Sequence, residues 1–363
     1  NKNDYDYDKI AAAVNYWLTV INSIDPSLHI ILIHKHLTFS CIALTLALIK
    51  SKRNYRPIAG VSCDDNTSAP LTEYFIFYSG TSDEQADNLL DNCSGYMFTD
   101  NSEILCNIKN HKNYTDLNFE FSKDQKLEFY TSGTTGLYPK QISSTSEIEG
   151  ASIQGAITTY FDVQDRCLFS AGMAHIGVHT TALFSTKFMA VASTPDEWNA
   201  EISNATHIQY FYTMLQRQFM LPPSLRVLTT GGSVLKPQML EDIIKICKVD
   251  KFLDIYGLTE CPPPLAIREI KTIEDLDRPF KWIQTDYTPV CKDGKLYITQ
   301  PNGRTIPTGD LVKIDNGNLY IYGRWLESVR LNGNIVLVSE FKKYLEKETN
   351  VINYTLTFVR GKG

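Results

Sequence analysis

The sequence predicts an α/β fold: a large amino-terminal body of layered α/β subdomains, a β-rich part near residues 280–325, and a short α+β lobe at the carboxy-terminal end. Three observations point there. From Leu28 to Pro57 an apolar strand pattern, a charged break, an apolar helix pattern and "RNYRPI" follow one another, which is the strand–helix–strand rhythm of an α/β layer. After about residue 280 the pattern changes to alternating apolar residues interrupted by Asp293-Gly294 and Asn316-Gly317, a strong hairpin signal. The chain's 363 residues, 43% of them hydrophobic, supply ample core for one multi-lobed domain or two to three conventional ones.

Taken in order, the run "FSCIALTLALI" at 39–49 is too short for a membrane span and has His and Lys close by, so it reads as a buried helix. "EYFIFYSG" at 73–80 reads as a strand, followed by a polar helix through "SDEQADNLLDN". Residues 95–125, rich in Asn, Asp and Lys, read as surface loops leading to the strand "KLEFYTSG". Helices are expected near 146–160 and 208–219, with a strand at "LRVLTTGGS". The hairpins "VCKDGKLYITQ" and "VKIDNGNLYIYGR" come next. From about 327 a short strand, the helix "VSEFKKYLEKE" and the strand "NYTLTFV" are expected. No repeat or low-complexity linker interrupts the chain. The lobe boundary falls at 325/326, giving parts 1–325 and 326–363.

Lys plus Arg number 35 against 41 Asp plus Glu, so the net charge of −6 gives no electrostatic case for nucleic acid or an anionic membrane as partner. Eight cysteines contain no CxxC pair and no tight Cys/His cluster, and they read as reduced side chains. The start "NKNDYDYDKI" is acidic and polar, unlike a secretory signal or basic transit peptide, and a cytoplasmic setting is expected.

Three stretches carry residues suited to chemistry. In "EFYTSGTTGLYPKQI", Thr131, Ser132, Gly133, Thr134, Thr135 and Gly136 can direct several backbone N–H groups and hydroxyls at one concave spot, as a polyphosphate requires. A Walker loop ends in Gly-Lys-Ser/Thr, whereas Lys140 follows Pro139 and precedes Gln141, so that pattern fails. The same run also suits an ordinary turn. In "LDIYGLTECPPP" a strand ends in Tyr-Gly, and Glu260 arrives four residues after Tyr256 as a potential metal-binding carboxylate. An ordinary strand-to-turn junction would look alike. In "PTGDLVKIDNGNLYIYGRWLES", Asp310 and Arg324 flank the Asn-Gly hairpin and could both face a ribose, though such residues also occur as solvated charges.

In this order, "YTSGTTG" with "PK", "YGLTE", "TGD" and "GR" resemble the signature set of the AMP-forming acyl and aryl ligases, the adenylate-forming superfamily. The resemblance runs from about residue 28 to the end. It includes "DRCLFSAGMAHIGVHTTALFS", similar to the segment around an active-site His. It also includes "ATHIQYFYTML", similar to the helix that follows, and "LRVLTTGGSVLKP", similar to the adenine-side glycine strand.

The resemblance implies a large lobe of adenylate-forming type and a two-step reaction. A carboxylate and MgATP give an acyl-adenylate and pyrophosphate, and a thiol of CoA or of a carrier-protein pantetheine then displaces AMP. It implies that residues 131–136 grip the β- and γ-phosphates, that Glu260 holds Mg²⁺ and that Thr259 contacts the α-phosphate. Asp254 would face the adenine amino group and Tyr256 lie against the ring, with Gly231, Gly232 and Ser233 along its other side. Asp310, with Arg324, would take the ribose hydroxyls. His175, which in isolation reads as a satisfied core histidine, would by the resemblance border the carboxylate pocket, with Gly231 and Gly257 beside the substrate.

The sequence also departs from the family. "GLYPKQ" carries one residue more than Gly-x-Pro-Lys-Gly, with Gln141 for the closing glycine, which alters the reach expected of Lys140. Leu326, followed by Glu327, replaces the Asp or Lys of the hinge. Only 36 residues follow Glu327, and Lys362 in "RGKG" is not expected to be the family's bridging lysine. A truncated sequence or a minimal lobe is therefore expected, with slow adenylation and retained ATP or AMP binding. No Asp stands near His175 to pair with an ammonium, so an α-amino acid is disfavoured. An aryl, short acyl or dicarboxylic acid remains, and the small size together with "FYTSGTTG" and "PKQI" is similar to compact o-succinylbenzoate–CoA ligases. The alternatives are a non-catalytic nucleotide-binding or carrier-docking protein and an acyl-protein synthetase.

Overall fold

Ile10, Val14, Trp17 and Ile21 recur at helical spacing and form the inward stripe of helix α1 (Tyr7–Asn22), in which Trp17 is fully buried. The computed structural model describes residues 7–34, 39–59, 73–79, 94–98, 121–129, 141–158, 166–169, 176–177, 188–191, 207–211, 224–232, 235, 237–246, 249–324, 328–331 and 334–337. The chain divides into two units, residues 1–284 and 285–363.

The first unit begins with α1, β1 (His29–His34), α2 (Phe39–Lys50), β2 (Tyr55–Ala59) and β3 (Tyr74–Ser79), and from β1 onward these follow the apolar runs of the sequence. Helix α1 was not foreseen, because the polar start of the chain masks its apolar stripe. A further strand, β4 (Ser94–Phe98), corrects the expectation of loops throughout 95–125. It pairs in parallel with β3, and Phe98 is buried against Trp17 with ring centroids 4.7 Å apart. A single buried aromatic at the end of a mostly exposed five-residue edge strand leaves almost no periodic signal.

Strands β5 (Lys126–Phe129) and β6 (Gln141–Ser144) complete a six-stranded sheet of order β4-β3-β1-β2-β5-β6, parallel except for the β5–β6 pair. One face of this sheet carries the core, where Ile30, Leu32, Phe77 and Phe129 meet Trp17 of α1, Leu44 and Leu48 of α2 and Ile148 of α3 (Thr145–Thr158). The other face carries a second apolar group, Ile31, Ile33, Ile76 and Tyr78.

Strand β5 has only one registered pair with β2, Tyr55 with Leu127, and side chains supply the rest of its anchorage. Arg56 donates from Nε and Nη2 to the Glu128 carboxylate. Gln125 Nε2 donates to the carbonyls of Leu48 and Arg53 at 2.8 and 2.9 Å, and the Lys126 N–H donates to Asn54 Oδ1 at 2.8 Å. Helix α3 starts on a capping box: the Ser144 N–H donates to Glu147 Oε2 at 2.8 Å and the Glu147 N–H to Ser144 Oγ at 3.3 Å. Thr145 Oγ1 accepts from the Ser122 N–H at 2.9 Å and donates to the Ser122 carbonyl at 3.0 Å. Since Phe129 faces Gln141 across the ladder, both ends of segment 130–140 are fixed on adjacent strands.

The rest of the unit comprises β7 (Arg166–Phe169), β8 (Phe188–Val191), β9 (His207–Phe211), β10 (Val227–Gly231), α4 (Pro237–Ile246), β11 (Lys251–Leu258), β12 (Cys261–Glu269) and β13 (Phe280–Trp282). They run in the order β8-β7-β9-β10-β11-β12-β13, parallel as far as β11 and antiparallel beyond it. Strand β9 corrects the helix expected at 208–219. Its alternation of Ile208 and Tyr210 with polar residues suits a pleated strand, and β7 and β10 supply ladder partners on both sides. Residues 212–219 lie outside the described residues, as does the helix expected at 82–92.

In the second unit β14 (Thr288–Lys292), β15 (Lys295–Thr299), β16 (Thr305–Asp315) and β17 (Asn318–Arg324) form an antiparallel meander. Its two predicted turns have positive φ at both central residues, 50° and 72° at Asp293-Gly294 and 50° and 78° at Asn316-Gly317. β18 (Ser328–Leu331) and β19 (Asn334–Leu337) make a further hairpin, and the helix and strand expected after it lie outside the described residues. Among the described residues no helix is long and apolar enough to cross a membrane. Among the described residues Cys41 and Cys261, both buried, and the exposed Cys291 form no disulfide.

Thr145→Val removes the acceptor of the Ser122 N–H at the root of β5. A loss of about 1–2 kcal/mol is expected, read as a lower urea midpoint, and an unchanged midpoint would show that this clamp contributes nothing.

Candidate functional site

Strands β10 and β11 run in parallel with Thr230 beside Asp254 and Gly231 beside Ile255. A Cβ on Gly231 would sit 2.6 Å from the Ile255 carbonyl oxygen, so only glycine lets the end of β10 lie this close to β11. Gly232 follows, exposed, at φ 81°.

β11 does not stop at Tyr-Gly, as the sequence suggested, but continues to Leu258. Thr259 and Glu260 form a two-residue turn, with Leu258 facing Cys261. The prolines at 262–264 then begin β12 instead of capping a turn. Tyr256 faces Ala266, so Gly257 on one strand is matched by residues 262–265 on the other, and the register breaks there.

This break sets what lies opposite Asp254. Had the register run on unbroken from Leu258 and Cys261, Leu265 would face Asp254; the observed partner is Arg268. Arg268 Nη2 donates to Asp254 Oδ2 at 2.6 Å, and both side chains are nearly buried. Arg268 Nη1 donates to the carbonyls of Leu276 and, at 3.2 Å, Arg278, and the guanidinium lies over the Phe280 ring at 4.3 Å. Tyr256 meets the same ring at a centroid distance of 6.2 Å. Burial pushes the Asp254 carboxyl above its ordinary value, and the Arg268 charge opposes that shift. Thr230 Oγ1 and Arg268 Nε are buried without a hydrogen-bond partner.

In the second unit Asp310 faces Arg324 across β16 and β17 because Tyr322 is bulged out, 54% exposed, between the Val312–Ile321 and Leu311–Gly323 pairs. Arg324 Nη1 donates to Asp310 Oδ1 at 3.1 Å; the carboxylate is buried and the guanidinium is 49% exposed. Thr308 Oγ1 accepts from the Asp310 N–H at 3.1 Å and donates to the Leu296 carbonyl at 3.1 Å. Gly309 has φ 84°, and a Cβ there would lie 3.3 Å from Arg324 Nη2, so the guanidinium rests on bare backbone.

Of the residues singled out in the sequence, Gly231, Gly232, Asp254, Tyr256, Gly257, Thr259 and Glu260 therefore occupy the end of β10, the strand β11 and the turn after it. Asp310 and Arg324 form a direct pair. Thr131, Ser132, Gly133, Thr134, Thr135, Gly136, Lys140, His175, Ser233 and Lys362 lie outside the described residues. Arg268 and Phe280 were missed, and no local signal could have found them, since Arg268 meets Asp254 only through the proline-bearing register break and Phe280 enters by packing on Arg268 and Tyr256. Among the described residues no three or more His, Cys, Asp or Glu side chains gather as a metal site.

A family model described as "AMP-binding enzyme" matches residues 122–328. No curated protein sequence matches the chain. Solved structures share the fold. O-succinylbenzoate coenzyme A synthetase (MenE) of Bacillus subtilis, in complex with ATP and magnesium ion, is 16% identical with a TM-score of 0.74, the match covering 93% of this chain and 78% of that one. The same enzyme with AMP gives 0.73 at 16% identity, over 94% and 78%. The amide bond synthetase McbA of Marinactinospora thermotolerans is 18% identical with a TM-score of 0.71, over 95% and 78%.

Gly231→Ala forces a methyl group against the Ile255 carbonyl. A loss of about 1–3 kcal/mol is expected, measured by chemical denaturation, and native stability in this variant would contradict the close approach of β10 to β11.

Proposed function

Because the chain belongs to the AMP-binding enzyme family, that of the adenylate-forming enzymes, we propose that it activates an aryl or acyl carboxylic acid, not an α-amino acid, as an acyl-adenylate. A carboxylate oxygen bonds to the α-phosphorus of ATP while the bond to the bridging oxygen breaks, and pyrophosphate leaves. A thiol, that of CoA or of a carrier-protein pantetheine, then bonds to the acyl carbon and AMP departs. The observation that carries this reading is the family match over residues 122–328, a range that contains the phosphate-loop stretch, the β10–β11 strands and the Asp310–Arg324 pair.

The residues fit a nucleotide in their chemistry. The end of β10 offers backbone with no side chain at Gly231, suited to a flat ring, and Asp254 on the neighbouring strand offers a carboxylate to an exocyclic amine. Tyr256 would lie against the base, with Gly232 and Ser233 along its other side. Asp310, oriented by Arg324, would accept the ribose hydroxyls. Residues 131–136 would hold the β- and γ-phosphates with N–H and hydroxyl donors, Lys140 would add a positive charge beside them, and Thr259 would meet the α-phosphate. Magnesium held at Glu260 would supply charge neutralisation to the phosphates. His175, Gly231 and Gly257 would border the acid. The lobe boundary is proposed at 325/326, and the setting is proposed to be cytoplasmic, with no nucleic-acid or membrane partner.

The test incubates the chain with ATP, Mg²⁺, hydroxylamine and a panel of aryl, acyl and dicarboxylic acids, then adds CoA or a pantetheinylated carrier protein. Hydroxamate and pyrophosphate from at least one acid are expected, and AMP binding without product from any acid would favour a non-catalytic relative. Acyl transfer to a partner protein's cysteine without CoA would instead identify an acyl-protein synthetase. Glu260 stands in a partly exposed turn, so Glu260→Gln should lower pyrophosphate release by roughly a hundredfold or more at an unchanged melting temperature. Full activity in that variant would remove Glu260 from the metal site.

A further inference from the structure

We infer that Arg268 is the positioning residue that makes Asp254 selective for an adenine base, by fixing the carboxylate with one oxygen engaged and the other left for an exocyclic amine. This inference rests on the proposed nucleotide reading of the β10–β11 strands.

The geometry supports it at each step. Arg268 is itself fixed before it touches Asp254: Nη1 is tied to the carbonyls of Leu276 and Arg278, both at the carboxy-terminal end of the short 3₁₀ turn Ile273–Asp277, and the guanidinium plane rests on Phe280. A guanidinium held at one end by backbone and on one face by a ring has little rotamer freedom left, so its remaining Nη2 donor points one way. That donor meets Asp254 Oδ2 at 2.6 Å and leaves Oδ1 outside the pair. Asp254 faces the same side of β11 as Tyr256, and Tyr256 touches the same Phe280 ring. Arg268, Phe280, Asp254 and Tyr256 thus form one rigid assembly.

The chemistry of the remaining oxygen then selects the base. An ionised carboxylate only accepts hydrogen bonds. Adenine offers an amine donor at its 6-position. Guanine and hypoxanthine offer a carbonyl oxygen there, which would face a negative charge with no shared proton. A purine with hydrogen at that position offers neither. Selectivity requires the carboxylate to stay charged and in place, and burial works against its charge. Arg268 opposes that effect. Without it, a carboxylate in this position would neutralise or turn away from its buried seat.

The experiment measures equilibrium binding of AMP and of purine riboside 5′-monophosphate, which lacks only the amine, to the full chain and its variants. The unaltered chain should bind AMP about tenfold to a hundredfold more tightly, the range of one hydrogen bond to a charged group. Arg268→Gln should abolish that preference. The double variant D254N/R268Q should regain part of it, because an amide oxygen accepts the same hydrogen bond and needs no counter-cation. D254A/R268Q should not. If Arg268→Gln does not fold, the comparison between the two double variants carries the test. Equal weakening of both nucleotides in Arg268→Gln would make Arg268 a purely structural residue and overturn the inference, as would a preference that survives it. An unaltered chain that binds both nucleotides equally overturns the inference but leaves nucleotide binding standing. Failure to bind either one removes the nucleotide reading and this inference together.

Discussion

The register break in the β11–β12 hairpin is the constraint on which the proposed nucleotide-facing side of the first unit depends. Proline has no N–H to give a ladder, so residues 262–264 cannot pair evenly with β11. The strand takes up the extra residues opposite Gly257 and resumes at Tyr256 and Ala266. An odd shift exchanges the two faces of β12 relative to the turn. Arg268 consequently replaces an aliphatic residue opposite Asp254, and a buried carboxylate acquires a cation. Removing one partner of such a pair typically costs about 3–5 kcal/mol, so the break decides stability as well as chemistry.

The second unit reaches a similar end by a smaller irregularity. One bulged residue, Tyr322, shifts β17 so that Arg324 and not Gly323 meets Asp310. This pair differs in energy from the first. Its guanidinium is half exposed, and pairs of that kind contribute about 0–1 kcal/mol to stability. What the contact secures is orientation: Thr308 fixes the Asp310 backbone, Gly309 leaves room for the guanidinium, and the carboxylate is held buried between them. In both units a carboxylate singled out by motif is oriented by an arginine fourteen residues further on, and in both the pairing exists only because a strand is irregular.

These irregularities also explain what could be read from the sequence. Strands β1 to β3, helix α2 and the two Asp-Gly and Asn-Gly hairpins were legible because their signals are local: apolar runs of the right length, and turn residues that accept positive φ. Helix α1, β4 and β9 were not. Each relies on a partner remote in sequence, such as Phe98 against Trp17 or β9 between β7 and β10, and its own pattern is weak or suits two structures. The motif residues on β10, β11, β16 and β17 were visible as types in order. Arg268 was not, since its role follows from a register that no local rule supplies.

A related argument applies to the stretch that first draws the eye, "TSGTTG" with Lys140 beyond it. A run of small and hydroxyl residues carries little intrinsic preference for one conformation, which gives weight to the described residues at its flanks. Those flanks are unusually well determined for so short a strand. Gln125, Lys126 and Glu128 each bind a neighbouring segment, Thr145 clamps Ser122 from both of its hydrogen-bonding groups, and a capping box starts α3 directly after β6. Phe129 and Gln141 then hold the two ends on adjacent strands, roughly 5 Å apart at the Cα atoms as in any antiparallel pair. Closing a loop between ends already fixed at that distance costs far less entropy than closing it between free segments. The polar residues at 54, 125, 128 and 145 would look interchangeable on a surface; here they fix the segments on either side of the phosphate-binding candidate.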